Sequence, residues 1–239
     1  TEPYLGKPLR GQETKQELLV QARELKELYL QAFQQFHRVL KTKGKVVFII
    51  KEKNGNYEEK LAYKLSPIIK SADIVIDIHS TKSELKDTII VTKLDYNTLK
   101  YVKAIQPRYV LVMNVTKDKA LISQAKIGIA FEYGKDNNLC ILKKIIADIK
   151  KLFCYLGIIY IKLPKQKIIT KYFNVISEIN KPKGYRLLKK IKNYKLICKN
   201  EAFATNGNNY LFAEDNFYPI LFGEKNYKTI FGFMGKRII

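Results

Sequence analysis

The 239-residue sequence contains no tryptophan, two histidines, three cysteines, and only 22 acidic side chains against 44 basic ones. Each shortage excludes something. Cys140, Cys154 and Cys198 are odd in number, widely spaced and set among apolar residues, with no Cys-x-x-Cys pair. A cysteine zinc site is therefore not expected, and a reduced, cytoplasmic compartment fits them. No stretch of about 18 uncharged apolar residues occurs, so neither a transmembrane helix nor a membrane partner is expected. The opening Thr1-Glu2-Pro3-Tyr4 has no basic region followed by an apolar one and does not read as a secretory signal.

The scarcity of carboxylates leaves a net charge of +22. Such a charge attracts acidic partners, RNA, DNA or anionic substrates, over a long range at low salt. The excess is mostly lysine, spread through the whole chain beside much Ile, Tyr and Asn, which is also the composition of thermophiles and AT-rich genomes. On that ground the basic run at 181–199 reads as a solvated β face rather than an RNA groove, although Tyr185 and Tyr194 are interleaved with it.

What is present is alternation. Over residues 14–40 apolar side chains recur every three or four positions, the pattern of a long amphipathic helix, and Thr14 with Glu17 three residues later resembles a capping box at its start. His37, near the end of that helix, has no carboxylate or second histidine one turn away and reads as a structural residue. A strand at 46–50, a helix at 57–70, strands at 74–79, 88–92 and 108–115, a helix at 96–104 and a short one at 120–125 follow. A strand ending at Glu132 and a helix at 139–156 complete the helix–strand alternation of a parallel α/β fold. From residue 157 the texture changes to short β-like runs at 158–163, 167–179, 184–188, 194–198, 202–205, 210–213 and 217–222, with Asn206-Gly207-Asn208 as a hairpin turn. An α/β domain over 1–156 and a β-rich carboxyl-terminal domain over 157–239 are the expected organisation.

Two stretches carry chemistry. The apolar run Ile74-Val75-Ile76 delivers Asp77, His79 and Ser80 at its far end, and Gly128-Ile129-Ala130-Phe131 ends on Glu132. Buried strands of α/β proteins open into ligand crevices at their carboxyl ends, so the two ends suggest one shared site. His79 could equally be a hydrogen-bonded structural histidine. Glu132, costly to bury alone, is either a site carboxylate or paired with a nearby lysine.

Asp77-Ile78-His79-Ser80-Thr81, Gly128-Ile129-Ala130-Phe131-Glu132-Tyr133-Gly134 and the tail from Ala213 to Tyr227 resemble, in order and spacing, the aspartoacylase and succinylglutamate desuccinylase family. The resemblance runs from about residue 44 to the end. It implies a three-layer, mostly parallel, zinc-carboxypeptidase-like α/β sheet with a β-rich carboxyl-terminal domain, and an amide hydrolase acting on a small acylated, anionic substrate. It also implies His79 and Glu13 as zinc ligands, Glu132 as the general base acting on zinc-bound water, and Tyr227 as a substrate contact. Asp77, Ser80 and Thr81 would orient the imidazole. Those roles are chemically coherent, since a catalytic zinc takes three His or carboxylate ligands plus water, whose proton a neighbouring carboxylate can accept.

The sequence departs from the family at its start. Where the family carries a His-x-x-Glu zinc motif, this chain reads Arg10-Gly11-Gln12-Glu13, and an arginine is a fixed cation that cannot bind zinc. Arg10 and Glu13 read equally as a solvated ion pair. A two-histidine zinc site would have to recruit His37. The family's Asn-Arg substrate loop is also absent, since Ile50 runs almost directly into Asn54-Gly55-Asn56. The alternative is therefore a metal-free, catalytically inactive relative that binds an acidic partner such as RNA or a protein assembly.

Overall fold

A computed structural model describes residues 13–39, 66–67, 69–79, 81, 85–114, 120–134, 138–163 and 168–238. The strand expected at 46–50, most of the helix at 57–70, Arg10, Ser80 and the side chain of His37 lie outside the described residues. The chain divides into two units, Thr1–Ile68 and Ile69–Ile239.

In the first unit, α1 spans Lys15–Val39. The capping box is present: the Thr14 N–H donates to Glu17 Oε2 at 2.7 Å and the Glu17 N–H donates to Thr14 Oγ1 at 3.2 Å. Two amides that a helix start would leave unpaired are thereby satisfied. Leu18, Leu25, Tyr29 and Ala32 form its half-buried stripe, whereas Leu19, Leu28 and Phe33 are exposed.

The second unit holds a seven-stranded mixed sheet in the order β1-β4-β2-β3-β5-β10-β9 and a three-stranded antiparallel sheet β6-β7-β8. The strands are β1 (Val75–His79), β2 (Thr88–Val91), β3 (Tyr109–Met113), β4 (Gly128–Glu132), β5 (Lys171–Asn180), β6 (Arg186–Leu187), β7 (Ala202–Thr205), β8 (Tyr210–Phe212), β9 (Tyr218–Ile220) and β10 (Ile230–Arg237). β1/β4, β2/β3 and β3/β5 pair in parallel, while β2/β4, β5/β10 and β9/β10 are antiparallel. The expected α/β class is thus present. Strands beyond residue 157 divide between the sheets, β5, β9 and β10 extending the large one. Residues 158–163 form no strand, the run at 194–198 contributes a single bridge at Ile197, and β10 occupies a segment the sequence reading left unassigned.

Strand alternation sorts the side chains to two faces. Ile89, Val91, Val110, Val112, Ile129 and Phe131 point to the face covered by α2 (Tyr96–Ile105) and α3 (Leu139–Tyr155), meeting Val102, Ile105, Ile145 and Leu152. Each such side chain, taken from water, contributes about 1.5–3 kcal/mol. Both helices are capped by side chains: Asp95 accepts from the Thr98 N–H and Asn138 from the Cys140 N–H. Ile90, Leu111, Ala130, Phe173 and Val175 point to the other face, which is covered by the 3-10 helix Leu121–Gln124 and by Leu221, Ile230 and Phe233. A third cluster, Phe203, Phe217, Phe222 and Phe231, joins the small sheet to β10.

Gly128 sets how closely that 3-10 helix approaches β4. A Cβ there would stand 2.3 Å from the Ile122 carbonyl oxygen, so only glycine lets the two backbones meet.

Candidate active site

The parallel register of β1 on β4 places Val75 beside Gly128, Asp77 beside Ala130 and His79 beside Glu132. Paired residues share a face, and residues two apart along a strand share it too. Asp77, His79 and Glu132 therefore project together onto the face opposite α2 and α3. This follows from a strand pattern of one polar residue at every second position over the last three residues of β1.

They line a cavity of about 300 Å3. Ile90, Met113, Ile122 and Ala130 form its apolar wall with Leu221 and Phe233, and Tyr227 stands across from the strand ends. The Tyr227 ring meets Phe233 edge-on at 5.7 Å. Its backbone is held by Lys181, whose Nζ donates to the carbonyls of Glu224 and Tyr227 at 3.0 and 2.5 Å. Among the described lining residues the charged groups are Asp77 and Glu132, with His79 beside them, and no Lys or Arg.

Asp77 is the buried member, its side chain 8% exposed against 41% for His79, and Asp77 Oδ2 lies 2.8 Å from His79 Nε2. The hydrogen bond between them fixes the orientation of the imidazole. Burial pushes the Glu132 carboxyl above the usual carboxylate range; the neighbouring His79 and a hydrogen bond with Thr81 pull it back down, and the charge of Asp77 raises it again. Thr81 is fixed in turn, its N–H donating to the Gly134 carbonyl at 2.9 Å, which ties the loop after β1 to the loop after β4. The Tyr227 phenol is pushed up to about 12, first by burial and then by the charges of Glu132 and Glu178. It remains a hydrogen-bond donor throughout the physiological range.

The structure thus brings together Asp77, His79, Thr81, Glu132 and Tyr227. Glu13 is described in the first unit, immediately before α1, where its charge acts on Glu17. Among the described residues no three His, Cys, Asp or Glu side chains gather to hold a metal ion. The donors in the cavity are the His79 imidazole and the carboxylates of Asp77 and Glu132; Asp77 is engaged by His79 Nε2 and Glu132 is suited to proton transfer, which leaves His79 alone to bind a metal. That is one zinc ligand rather than three.

The basic run at 181–199 is largely solvent-exposed, as expected, with one tyrosine as the exception. Tyr194 does not lie on a solvated face: its ring stacks on Tyr109 with centroids 3.9 Å apart, and its hydroxyl shares a 2.7 Å hydrogen bond with Thr88 Oγ1. Thr88 pairs with Glu132 across β2 and β4, so this half-buried tyrosine buttresses the strand paired with the one that carries the carboxylate.

No protein-family model matches the sequence, and no curated protein matches it. Solved structures do. The fold is similar to that of murine aminoacylase 3, with a TM-score of 0.63 at 15% identity over 79% of this chain and 73% of that one. It is also similar to a succinylglutamate desuccinylase/aspartoacylase from Rhodobacter sphaeroides, with a TM-score of 0.60 at 13% identity over 79% and 66% of the two chains. A succinylglutamate desuccinylase from Vibrio cholerae matches with a TM-score of 0.55 at 13% identity, covering 80% of this chain and 63% of that one. The resemblance noted from three short motifs therefore extends to the fold over about 79% of this chain.

Proposed function

We propose that the cavity is a deacylase site, which binds a small acylated substrate and cleaves its amide bond. The observation that carries this reading is the placement of His79 directly beside Glu132 at the ends of two parallel strands, with Asp77 holding the imidazole from below. Glu132, its carboxyl raised by burial, is suited to take a proton from the attacking water and return it to the leaving amine. Tyr227, protonated at neutral pH, is suited to donate a hydrogen bond to an oxygen of the substrate. The apolar wall of Ile90, Met113, Leu221 and Phe233 accommodates the acyl group. The anionic end expected of such a substrate has to face outward, away from Asp77 and Glu132, because like charges at that range repel.

The related fold brings zinc with it, and zinc when bound polarises the amide and acidifies water. The described residues do not complete a ligand set for it. His79 would hold the metal, the expected second donor Glu13 belongs to the other unit, and Arg10 occupies the place of the third. No step above depends on the metal.

The test is a panel of N-acyl amino acids incubated with the full chain, paired with elemental analysis for zinc. Turnover that falls by about 100-fold or more in Glu132→Gln supports the assignment. Absence of turnover on every substrate, with and without added zinc, overturns it. That outcome would favour the second reading, a metal-free relative that keeps the fold and binds an acidic partner, which the replacement of a zinc-ligating histidine by Arg10 supports.

A further inference from the structure

The outer face of the small β6-β7-β8 sheet combines two features that the cavity does not use. The first is a pair of exposed aromatic rings. Tyr210 and Phe212, two apart on β8, are 52% and 57% exposed, with ring centroids 6.4 Å apart. They cannot be core side chains turned outward by a register error. Leu187, Ala204 and Leu211 pair across the same three strands and point inward; β7 bulges between Ala202 and Ala204, but on β8 the alternation holds, and Tyr210 and Phe212 belong to the solvent side.

The second feature is charge. Residues 181–200 carry eight cationic side chains and no carboxylate, about twice the density of basic residues in the chain as a whole. Strand pairing brings this segment to the rings at both ends. Arg186 pairs with Thr205, which pairs with Tyr210, so the three share one row of the outer face. At the other end the Asn200 N–H donates to the carbonyl of Ala213, placing Lys199 and Asn200 beside the residue that follows Phe212. Lys190 is partly neutralised by Glu201 at 2.8 Å and the charge of Lys199 acts on Asp215, while both Arg186 and Lys199 are exposed. Next to Tyr210 the hairpin turn is rigid. The Asn206 side-chain oxygen accepts from the Asn208 and Asn209 N–H groups, and Thr205 Oγ1 donates to the Asn209 carbonyl.

We propose that this face binds single-stranded RNA, with Tyr210 and Phe212 stacking on two successive unpaired bases and Arg186 and Lys199 meeting the flanking phosphates. Exposed rings serve unpaired bases, since a duplex keeps its base faces stacked inside, and unpaired bases are what RNA loops and ends present. Interleaved cations hold the backbone on a sheet surface in the way single-strand binders do. The inference is independent of any chemistry in the cavity.

Fluorescence anisotropy of a labelled oligouridine of about 12 nucleotides, titrated with the full chain at several salt concentrations, tests it. The Tyr210→Ala/Phe212→Ala double variant should bind at least about 10-fold more weakly with an unchanged salt slope. Tyr210→Phe alone, which keeps the ring, should bind like the parent. Arg186→Ala/Lys199→Ala should flatten the slope of log K against log salt by about 0.7 for each cation removed. All four positions are exposed, and circular dichroism checks that the variants fold. Binding that is unaffected by loss of both rings, or an equal affinity for RNA duplex, would reduce the surface to a generic polycation and overturn the proposal. So would oligodeoxythymidine binding more tightly than oligouridine.

Discussion

Two carboxylates on opposite faces of the same sheet are treated in opposite ways. Asp148 in α3 is fully buried and fully paired: it accepts the Tyr133 hydroxyl at 2.7 Å, the Lys151 ammonium at 2.7 Å and the Lys144 ammonium. Lys151 also donates to the carbonyl of Ile105 at the end of α2. Glu132, one residue before Tyr133, sits on the other face with a hydroxyl and an imidazole as neighbours, and burial raises its carboxyl. The contrast separates architecture from chemistry. A carboxylate that accepts from two ammonium groups and a phenol locks three elements together. A carboxylate with too little compensation is left ready to exchange its proton. Tyr133 shows the same division, for its phenol is pushed well upward by burial and by the negative charge of Asp148, and so serves only as a donor.

Removing Asp148 should have the largest effect on stability. In Asp148→Ala the two lysines lose their partner, and breaking a buried pair in this way costs about 3 kcal/mol or more. Their side chains are 26% and 13% exposed, which lets them recover part of that loss from water. Urea unfolding should show the deficit; a change under about 1 kcal/mol would mean that the network does not anchor α3.

Gly128→Ala comes next. The added methyl group meets the Ile122 backbone, and an overpacked contact costs about 1–3 kcal/mol. Because Ile122 also lines the cavity, the same variant should lose affinity for any ligand bound there, whereas Asp148→Ala should not at temperatures where it remains folded. Ligand titration of both variants would separate the two faces.

Asp95→Ala, on the helix face, should cost about 1 kcal/mol through loss of the α2 cap. The Thr98 N–H and Lys93 hold the Asp95 carboxyl down at about 2. A depressed carboxyl contributes stability above its unfolded value and loses it as the pH falls through the folded one. The difference between parent and variant should therefore be full at neutral pH and vanish toward about pH 2.

Glu132→Gln should show the smallest change and the opposite sign. With its folded value raised, Glu132 favours the folded state below the ordinary carboxylate range and loses that advantage as the pH rises through the raised value. The glutamine variant should therefore gain stability relative to the parent on going from acid to neutral pH while losing activity. A gain that is independent of pH would mean that Glu132 is not the under-compensated member of the pair.

Much of this arrangement was legible in the chain. The helix at 14–40 and its cap could be read because both depend on residues within one turn of each other. The strands ending at His79 and Glu132 could be read because short apolar runs of strand length are local signals. Asp148 could have been found as the one acid in the Ile141, Ile145, Leu152 stripe of α3, with lysines four before and three after it. β10 was missed because Ile230–Arg237 contains Gly232 and Gly235 and two cations, a composition that does not announce a strand. Its partners β5 and β9 on either side, with a bulge at the glycines, make it one.

The amino-acid sequence by itself determined the helices at Lys15–Val39, Tyr96–Ile105 and Leu139–Tyr155, the strands β1 to β4, and that two reactive residues close two of those strands. These are consequences of backbone geometry acting over a few residues. Only the tertiary structure decided that β1 lies beside β4 in the register that sets His79 against Glu132, and that Tyr194 packs under β2 while Tyr210 and Phe212 face water. Only it decided that Glu132 is less compensated than Asp148. Those outcomes depend on pairings between residues tens of positions apart, where the side chains that surround a charge, and not the charge itself, set its free energy.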